Sequence, residues 1–167
     1  MQLLVIRHAL AQSREEFAGE DDALRPLTKD GVRQMRRGAK GLRRIVGDLD
    51  VLGSSPFLRA VQTADIVARE FPGVEVTPVK ALEPESAAPA FVTWLRKQRD
   101  AELVAVVGHE PHLGTLITWL LTGIEESRVP LKKSGACLLH FPALPRKGDA
   151  TLQWALTPAL LRDVPRS

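Results

Sequence analysis

The stretch Leu3-Leu4-Val5-Ile6-Arg7-His8 decides how the rest of the chain is read. Four apolar residues, two of them β-branched, predict a short buried strand, and they stop at two cationic or titratable side chains. In an open α/β sheet, ligands collect in the crevice beyond the carboxyl ends of the strands, so Arg7 and His8 stand where chemistry is expected. Taken alone, an Arg-His pair after a strand is equally a solvated loop. The functional reading depends on residues far away in the chain.

Working outward, Thr28 is placed to cap a helix that runs to about Val46 and ends at Gly47-Asp48. Its apolar stripe (Val32, Met35, Ala39, Leu42) shares the segment with Arg33, Arg36, Arg37, Lys40, Arg43 and Arg44, which reads as a solvated outer face. Val51 to Ser54 is a second short strand, and Pro56 is expected in the first turn of a helix that buries Phe57, Ala60, Val61, Ala64, Val67, Ala68 and Phe71. Val74 to Val79 predicts a weak strand, and Pro78 puts it near a sheet edge. A helix is expected from Phe91 to about Arg99. Leu103 to Val107 is almost wholly apolar, as a central parallel strand should be, and ends in Gly108-His109. A helix with Leu113, Leu116, Ile117, Leu120 and Leu121 inward follows, ending near Gly123. Ala136 to Phe141 and Thr151 to Leu156 predict an antiparallel pair across a Pro- and Gly-containing turn. Strands alternating with helices predict an α/β fold, a three-layer αβα sandwich around a mixed, mostly parallel sheet. The expected organisation is one domain over residues 1–167, with no repeat, low-complexity tract or linker.

Composition narrows the function classes. With 44% hydrophobic and 26% charged residues, the chain has a globular composition, and no apolar run approaches the roughly 20 residues of a membrane span. The N-terminal sequence shows no basic leader followed by an apolar stretch, and the single cysteine, Cys137, allows no intramolecular disulfide, so a cytoplasmic protein is expected. Cys137 reads as core. The net charge of +3 is mild, and aromatics are 5% and scattered, which argues against a nucleic-acid partner.

The constellation then takes shape. Two buried strands finish on histidines, at Ile6-Arg7-His8 and Val107-Gly108-His109. If they are parallel neighbours, the imidazoles meet at one end of the sheet. The third element, Ser54-Ser55-Pro56-Phe57-Leu58-Arg59-Ala60-Val61-Gln62-Thr63-Ala64, is a strand end turning into a helix, and brings Arg59 and free main-chain amides to the same place. Two arginines and two histidines without carboxylate or cysteine ligands suit a phosphate and not a metal.

With these motifs, the sequence resembles the histidine phosphatase superfamily, the phosphoglycerate-mutase-like proteins. The small size, Arg25-Pro26-Leu27-Thr28, Gly108-His109-Glu110-Pro111 and Leu131-Lys132-Lys133-Ser134-Gly135 are most similar to its short SixA-type phosphohistidine phosphatase branch. The resemblance implies that His8 is the nucleophile that is transiently phosphorylated, that Arg7, Arg59 and His109 bind the phosphoryl oxygens, and that Arg25 is a further contact. It offers Glu83 as general acid, with Glu85 or no acid at all as alternatives. No metal and no cofactor are expected, because four cationic or donor side chains can hold the charge of a loose phosphoryl transition state. Two positions depart from the family pattern: Ala9 stands where Gly is common, and Ala11 to Glu16 lack the usual Asn, so no phosphate contact is assigned to that loop.

The implied partner is a phosphorylated substrate, above all a protein phosphohistidine. The rivals are a small-molecule or broad-specificity phosphomonoesterase and a non-catalytic phosphate-binding module. A mutase, which must retain and reorient its product in an enclosed site, is disfavoured. Among the remaining residues, His112 is expected to be a helix cap or surface residue, His140 structural, the three tryptophans core or partly buried, and Lys132 and Lys133 a solvated turn. Oligomeric state is left open.

Overall fold

The structure is a computed structural model that describes residues 1–165. Its elements in chain order are β1 (Gln2–Arg7), α1 (Lys29–Ile45), β2 (Val51–Ser54), α2 (Leu58–Ala68), β3 (Val76–Pro78), α3 (Ala88–Arg96), β4 (Leu103–Gly108), α4 (His112–Thr122), β5 (Ala136–His140), β6 (Thr151–Leu156) and α5 (Pro158–Arg162). A 3-10 turn over Asp22–Leu24 interrupts the long loop after β1, and a second covers Lys80–Leu82.

The six strands form one sheet in the order β3-β2-β4-β1-β5-β6. β3, β2, β4 and β1 are parallel, while β5 and β6 run antiparallel on the far edge. From β1 the chain moves outward to β2 and β3, then reverses, placing β4 between β2 and β1 and β5 beyond β1. Right-handed crossovers in opposite directions put helices on opposite faces. One face packs Leu4, Ile6, Leu52, Ala105 and Val107 with Met35, Ala39 and Leu42 of α1, Ala64 and Val67 of α2, and Leu161 of α5. The other packs Leu3, Val5, Val104 and Val106 with Phe91 and Leu95 of α3 and Leu113, Leu116, Ile117 and Leu120 of α4. The alternation within Leu3 to Ile6 thus splits one strand between two cores. The expected α/β class and three-layer αβα sandwich hold.

Several boundaries shift for local reasons. Pro56 lies two residues ahead of α2, not in its first turn, because Phe57 stays extended (φ −64, ψ 133) and Phe57 N–H donates to Ser55 Oγ at 3.4 Å. The end of α2 tightens into bonds from Glu70 to Val67 and from Phe71 to Ala68, so Phe71 is core but not helix. α3 begins three residues earlier than expected, at Ala88, with Pro89 in its first turn, and ends at Arg96. β3 is confined to Val76–Pro78 and lies at the sheet edge, as Pro78 requires. Thr28 caps α1, its Oγ1 accepting from Gly31 N–H at 2.9 Å. On the outer face of α1, Arg33, Arg36, Arg37, Lys40 and Arg44 are exposed, while Arg43 pairs with Asp48 and lies 5.4 Å over the Phe71 ring. Cys137 is buried, and Trp119 is buried with Trp94 and Trp154 partly so.

α5 is docked on α1 by close main-chain approach: a Cβ on Gly41 would overlap the carbonyl oxygen of Leu161, whereas one on Gly38 of the same helix would meet nothing within 4 Å. Gly41→Ala is expected to cost about 1–3 kcal/mol by forcing the helices apart. Gly38→Ala is expected to stabilise by about 0.5–1 kcal/mol by restricting the unfolded chain. Urea unfolding of the two variants, differing in sign, checks the packing.

Candidate active site

The register places the site. Arg7 is opposite Gly108 and Ile6 opposite Val107, and Ser54 is opposite Val107 on the other side of β4. Main-chain bonds from His8 N–H to Gly108 O and from Ser55 N–H to Val107 O, both 3.0 Å, continue the ladder past the strand ends. The carboxyl ends of β1, β4 and β2 therefore carry Arg7-His8, His109 and Ser55 to one rim. The crevice there has a volume of about 730 Å³. Every residue assigned a role from the sequence lines it: Arg7, His8, Arg25, Arg59, Glu83, Glu85 and His109.

The His8 and His109 ring centroids are 5.2 Å apart. His8 Nδ1 lies 2.7 Å from the main-chain oxygen of Ala9. A carbonyl only accepts, so Nδ1 carries the proton and Nε2 is left with its lone pair. Burial pushes the His8 pKa down to about 3, with the charges of Arg59, Arg7 and Lys133 adding to the effect and the Ala9 bond opposing it. Burial likewise takes His109 to about 2, helped by His8 and Arg59. Both rings are neutral at physiological pH. His109 Nε2 shares a 2.7 Å hydrogen bond with Ser55 Oγ, and its Nδ1 is buried without a partner.

The arginines are held by main-chain oxygens. Arg7 donates to Leu131 O at 2.8 Å, and Arg25 to Gln12 O at 2.6 Å. Arg59, only 4% exposed, donates to Asp22 O at 2.8 Å and to Asp22 Oδ2 at 3.0 Å. The Nε atoms of Arg7 and Arg59 are buried with no partner. Burial lowers the pKa of both guanidiniums.

Residues of the helix motif support this arrangement. Thr63 Oγ1 accepts from Ala9 N–H at 3.0 Å and donates to Arg59 O at 2.7 Å, tying the His8 loop to α2. Gln62 Oε1 accepts from Leu27 N–H at 2.8 Å, fixing the segment after Arg25. Phe57, expected in the helix core, instead stands in the crevice wall, with its ring edge-on to His109 at 5.1 Å and under the Arg59 guanidinium at 5.1 Å.

Three further residues differ from the sequence reading or add to it. His112 is neither a cap nor a surface residue: it begins α4 at 6% exposure with its ring buried, and burial lowers its pKa against an opposing interaction with the Ser86 main chain. α4 is apolar on nearly all sides, so its first turn is packed inward with the rest. Lys133 is exposed but lines the crevice, because Ser134, at φ 63, turns the chain so that Ser134 N–H reaches the main-chain oxygens of Arg7 and His8, both at 3.2 Å. Asp22, which was given no role above, is the carboxylate that joins Arg59 and Arg25; its spacing three residues before Arg25 was the available signal. Glu83 is half-buried and Glu85 exposed in the crevice wall. Among the described residues no group of three His, Cys, Asp or Glu is arranged to hold a metal ion, and no helix is long and apolar enough to cross a membrane.

Comparison with known proteins identifies the family. The pattern of the histidine phosphatase superfamily (branch 1) matches residues 3–84. An uncharacterized protein of Picosynechococcus sp. is 34% identical over 156 residues, covering 92% of this chain and 89% of that protein. The phosphohistidine phosphatase SixA of Escherichia coli is 28% identical over 171 residues, 97% of each chain. The chain belongs to the histidine phosphatase superfamily. Among solved structures, that of the protein histidine phosphatase SixA complexed with tungstate superposes with a TM-score of 0.81 at 27% identity, over 96% of this chain and 99% of that one. The sheet is thus the one shared by phosphoglycerate-mutase-like proteins, and in this histidine phosphatase the Arg7-His8 pair lies at the end of the first strand.

Two buried neutral imidazoles make the fold sensitive to acid. The unfolded chain takes up these protons near pH 6.5, and the folded chain only near 3 for His8 and 2 for His109. Below 6.5 the unfolded state therefore binds more protons, and stability falls as pH is lowered and is fully present above that value. The slope is up to about 1.4 kcal/mol per pH unit for each histidine. His8→Gln is expected to flatten the dependence of unfolding free energy between pH 6.5 and 5, measured by urea titration.

Proposed function

We propose that this histidine phosphatase is a phosphohistidine phosphatase that works through a phospho-His8 intermediate, with a phosphorylated protein as substrate. The observation that carries the reading is His8 itself: a neutral imidazole whose Nδ1–H is held by Ala9 O, leaving the Nε2 lone pair free in a crevice lined by five cationic side chains. His8 Nε2 attacks phosphorus in line. The guanidiniums of Arg7 and Arg59, which line the crevice, hold the phosphoryl oxygens, and Arg25 adds a third cation. The hydrogen bond between His109 Nε2 and the Ser55 hydroxyl holds the second imidazole in place on the crevice wall beside His8. Water then hydrolyses the phosphoenzyme. No metal is assigned, since the side chains supply the positive charge that the loose transition state needs.

The substrate class follows from the leaving group. A phosphate ester expels an alkoxide and needs a strong proton donor, whereas phosphohistidine expels an imidazole whose conjugate acid has a pKa near 6.5. The likeness to SixA supports the second. A small-molecule phosphomonoesterase is the alternative, favoured by one observation: Glu83 and Glu85 both stand in the crevice wall, where an acid for an ester would be. Glu83, the more buried of the two, is the assigned acid.

Turnover of a phosphohistidine protein set against a panel of sugar and nucleotide phosphates decides between them. The expected result is a preference for phosphohistidine, with an acid-labile phosphoenzyme lost in His8→Ala and activity unaffected by a chelator. A preference for small esters overturns the substrate assignment. Phosphate binding with no phosphoenzyme and no hydrolysis of any activated phosphoester identifies a binding module instead.

A further inference from the structure

Asp22 stands on the wall of a crevice read above as a phosphoryl site, where a carboxylate repels the ligand. Its contacts supply a reason for it. Oδ1 accepts from Arg25 Nε at 2.9 Å and lies 3.5 Å from Arg14 Nε, Oδ2 accepts from Arg59 at 3.0 Å, and the main-chain oxygen accepts from the other terminal nitrogen of Arg59 at 2.8 Å. Three guanidiniums gathered this closely repel one another, and Arg59 is too buried for water to screen it. Burial works against a charge on Asp22, yet the Arg25 bond and the nearby Arg59 outweigh it and hold its pKa below the ordinary carboxylate range. The group is ionised and so is no general acid.

The shape of the Arg59 clamp is informative. Asp22 takes both terminal nitrogens of the guanidinium, one through a side-chain oxygen and one through the main chain, and leaves Nε buried without a partner. A side chain that merely filled an empty anion site would make its bonds through carboxylate oxygens alone. A main-chain carbonyl in the 3-10 turn cannot swing away when a ligand arrives. Arg25, which also donates to Gln12 O, staples the same loop in place.

We infer that Asp22 is a positioning residue: it assembles Arg59 and Arg25 in one fixed arrangement before substrate arrives. The inference rests on the phosphoryl-site reading. Charge balance gives it a second use. The crevice lining carries Arg7, Arg14, Arg25, Arg59 and Lys133 against Asp22, Glu83, Glu85 and Glu110. Asp22 thereby limits the uncompensated positive charge that these five cations present before the substrate binds.

The test uses the full chain with inorganic phosphate as probe, measured by calorimetry, alongside turnover of a phosphohistidine protein. Asp22→Ala is expected to weaken phosphate binding about tenfold or more and lower kcat/KM about a hundredfold, the range found when one partner of a buried charge pair is removed. Asp22→Asn, which keeps an accepting oxygen of the same shape, restores part of the loss. Combining Asp22→Ala with Arg25→Ala costs less than the sum of the two, because both act on one assembly. If Asp22→Ala does not fold, as judged by its thermal transition, Asp22→Asn carries the test through weaker phosphate binding and reduced kcat. Tighter phosphate binding in Asp22→Asn overturns the inference and makes Asp22 a competing anion. Unchanged binding and turnover overturn it too. Wild-type protein that binds no phosphate and forms no phosphoenzyme takes down the phosphoryl reading along with it, whereas wild-type binding with unaffected variants removes only the positioning role.

Discussion

The parallel ladder between β1 and β4 is the contact on which the rest depends. It sets Arg7 against Gly108, and the bond from His8 N–H to Gly108 O extends the pairing by one residue beyond the strands. Because the strands run the same way, their last residues fall on one rim, and two histidines 101 positions apart come within a ring's breadth of each other. A slip of one residue would exchange the two faces of the strand, moving Leu4 and Ile6 into the core that now holds Leu3 and Val5. The hydrophobic pattern that chooses the register therefore also chooses the geometry of the site.

Around that fixed pair, positive charge arrives from less regular parts of the chain. Arg59 comes from the first turn of α2, Arg25 from the segment after a 3-10 turn, and Lys133 from a turn whose Ser134 takes a left-handed conformation. Each is tied to main chain: Arg7 to Leu131, Arg25 to Gln12, Arg59 to Asp22, and the Lys133 turn to the end of β1. Thr63 and Gln62, which do not line the crevice, supply the bonds that keep the loops together. Oriented donors that need no rearrangement are what a developing phosphoryl charge requires.

The architecture was legible because it rests on burial. Apolar runs such as Leu103 to Val107 and helical stripes such as Met35, Ala39 and Leu42 state their own geometry, and the strand-end positions of His8 and His109 and the first-turn position of Arg59 follow from it. What was not legible is set by tertiary contact. Pro56 is a good first-turn residue by propensity, but the Ser55 hydroxyl holds the chain extended through Phe57 and moves that ring from the core to the crevice. His112 carries no local mark of burial; the apolar surroundings of α4 bury it. Asp22 looks like any other acid in Glu20-Asp21-Asp22 until Arg59, 37 residues away, is brought to it by the fold.

The lining segments of the crevice are spread from Arg7 to Lys133, and the strands that present them are joined through pairings such as Leu3 with Val104 and Val5 with Cys137. Such topology has high contact order, and its loop closures must be completed before the rim exists. A fragment that ends before β4 lacks His109, and one that loses β1 keeps no partner strand to set His8 against Gly108. Recovery of activity during refolding would therefore report the pairing of β1 with β4, and not the formation of the helices alone.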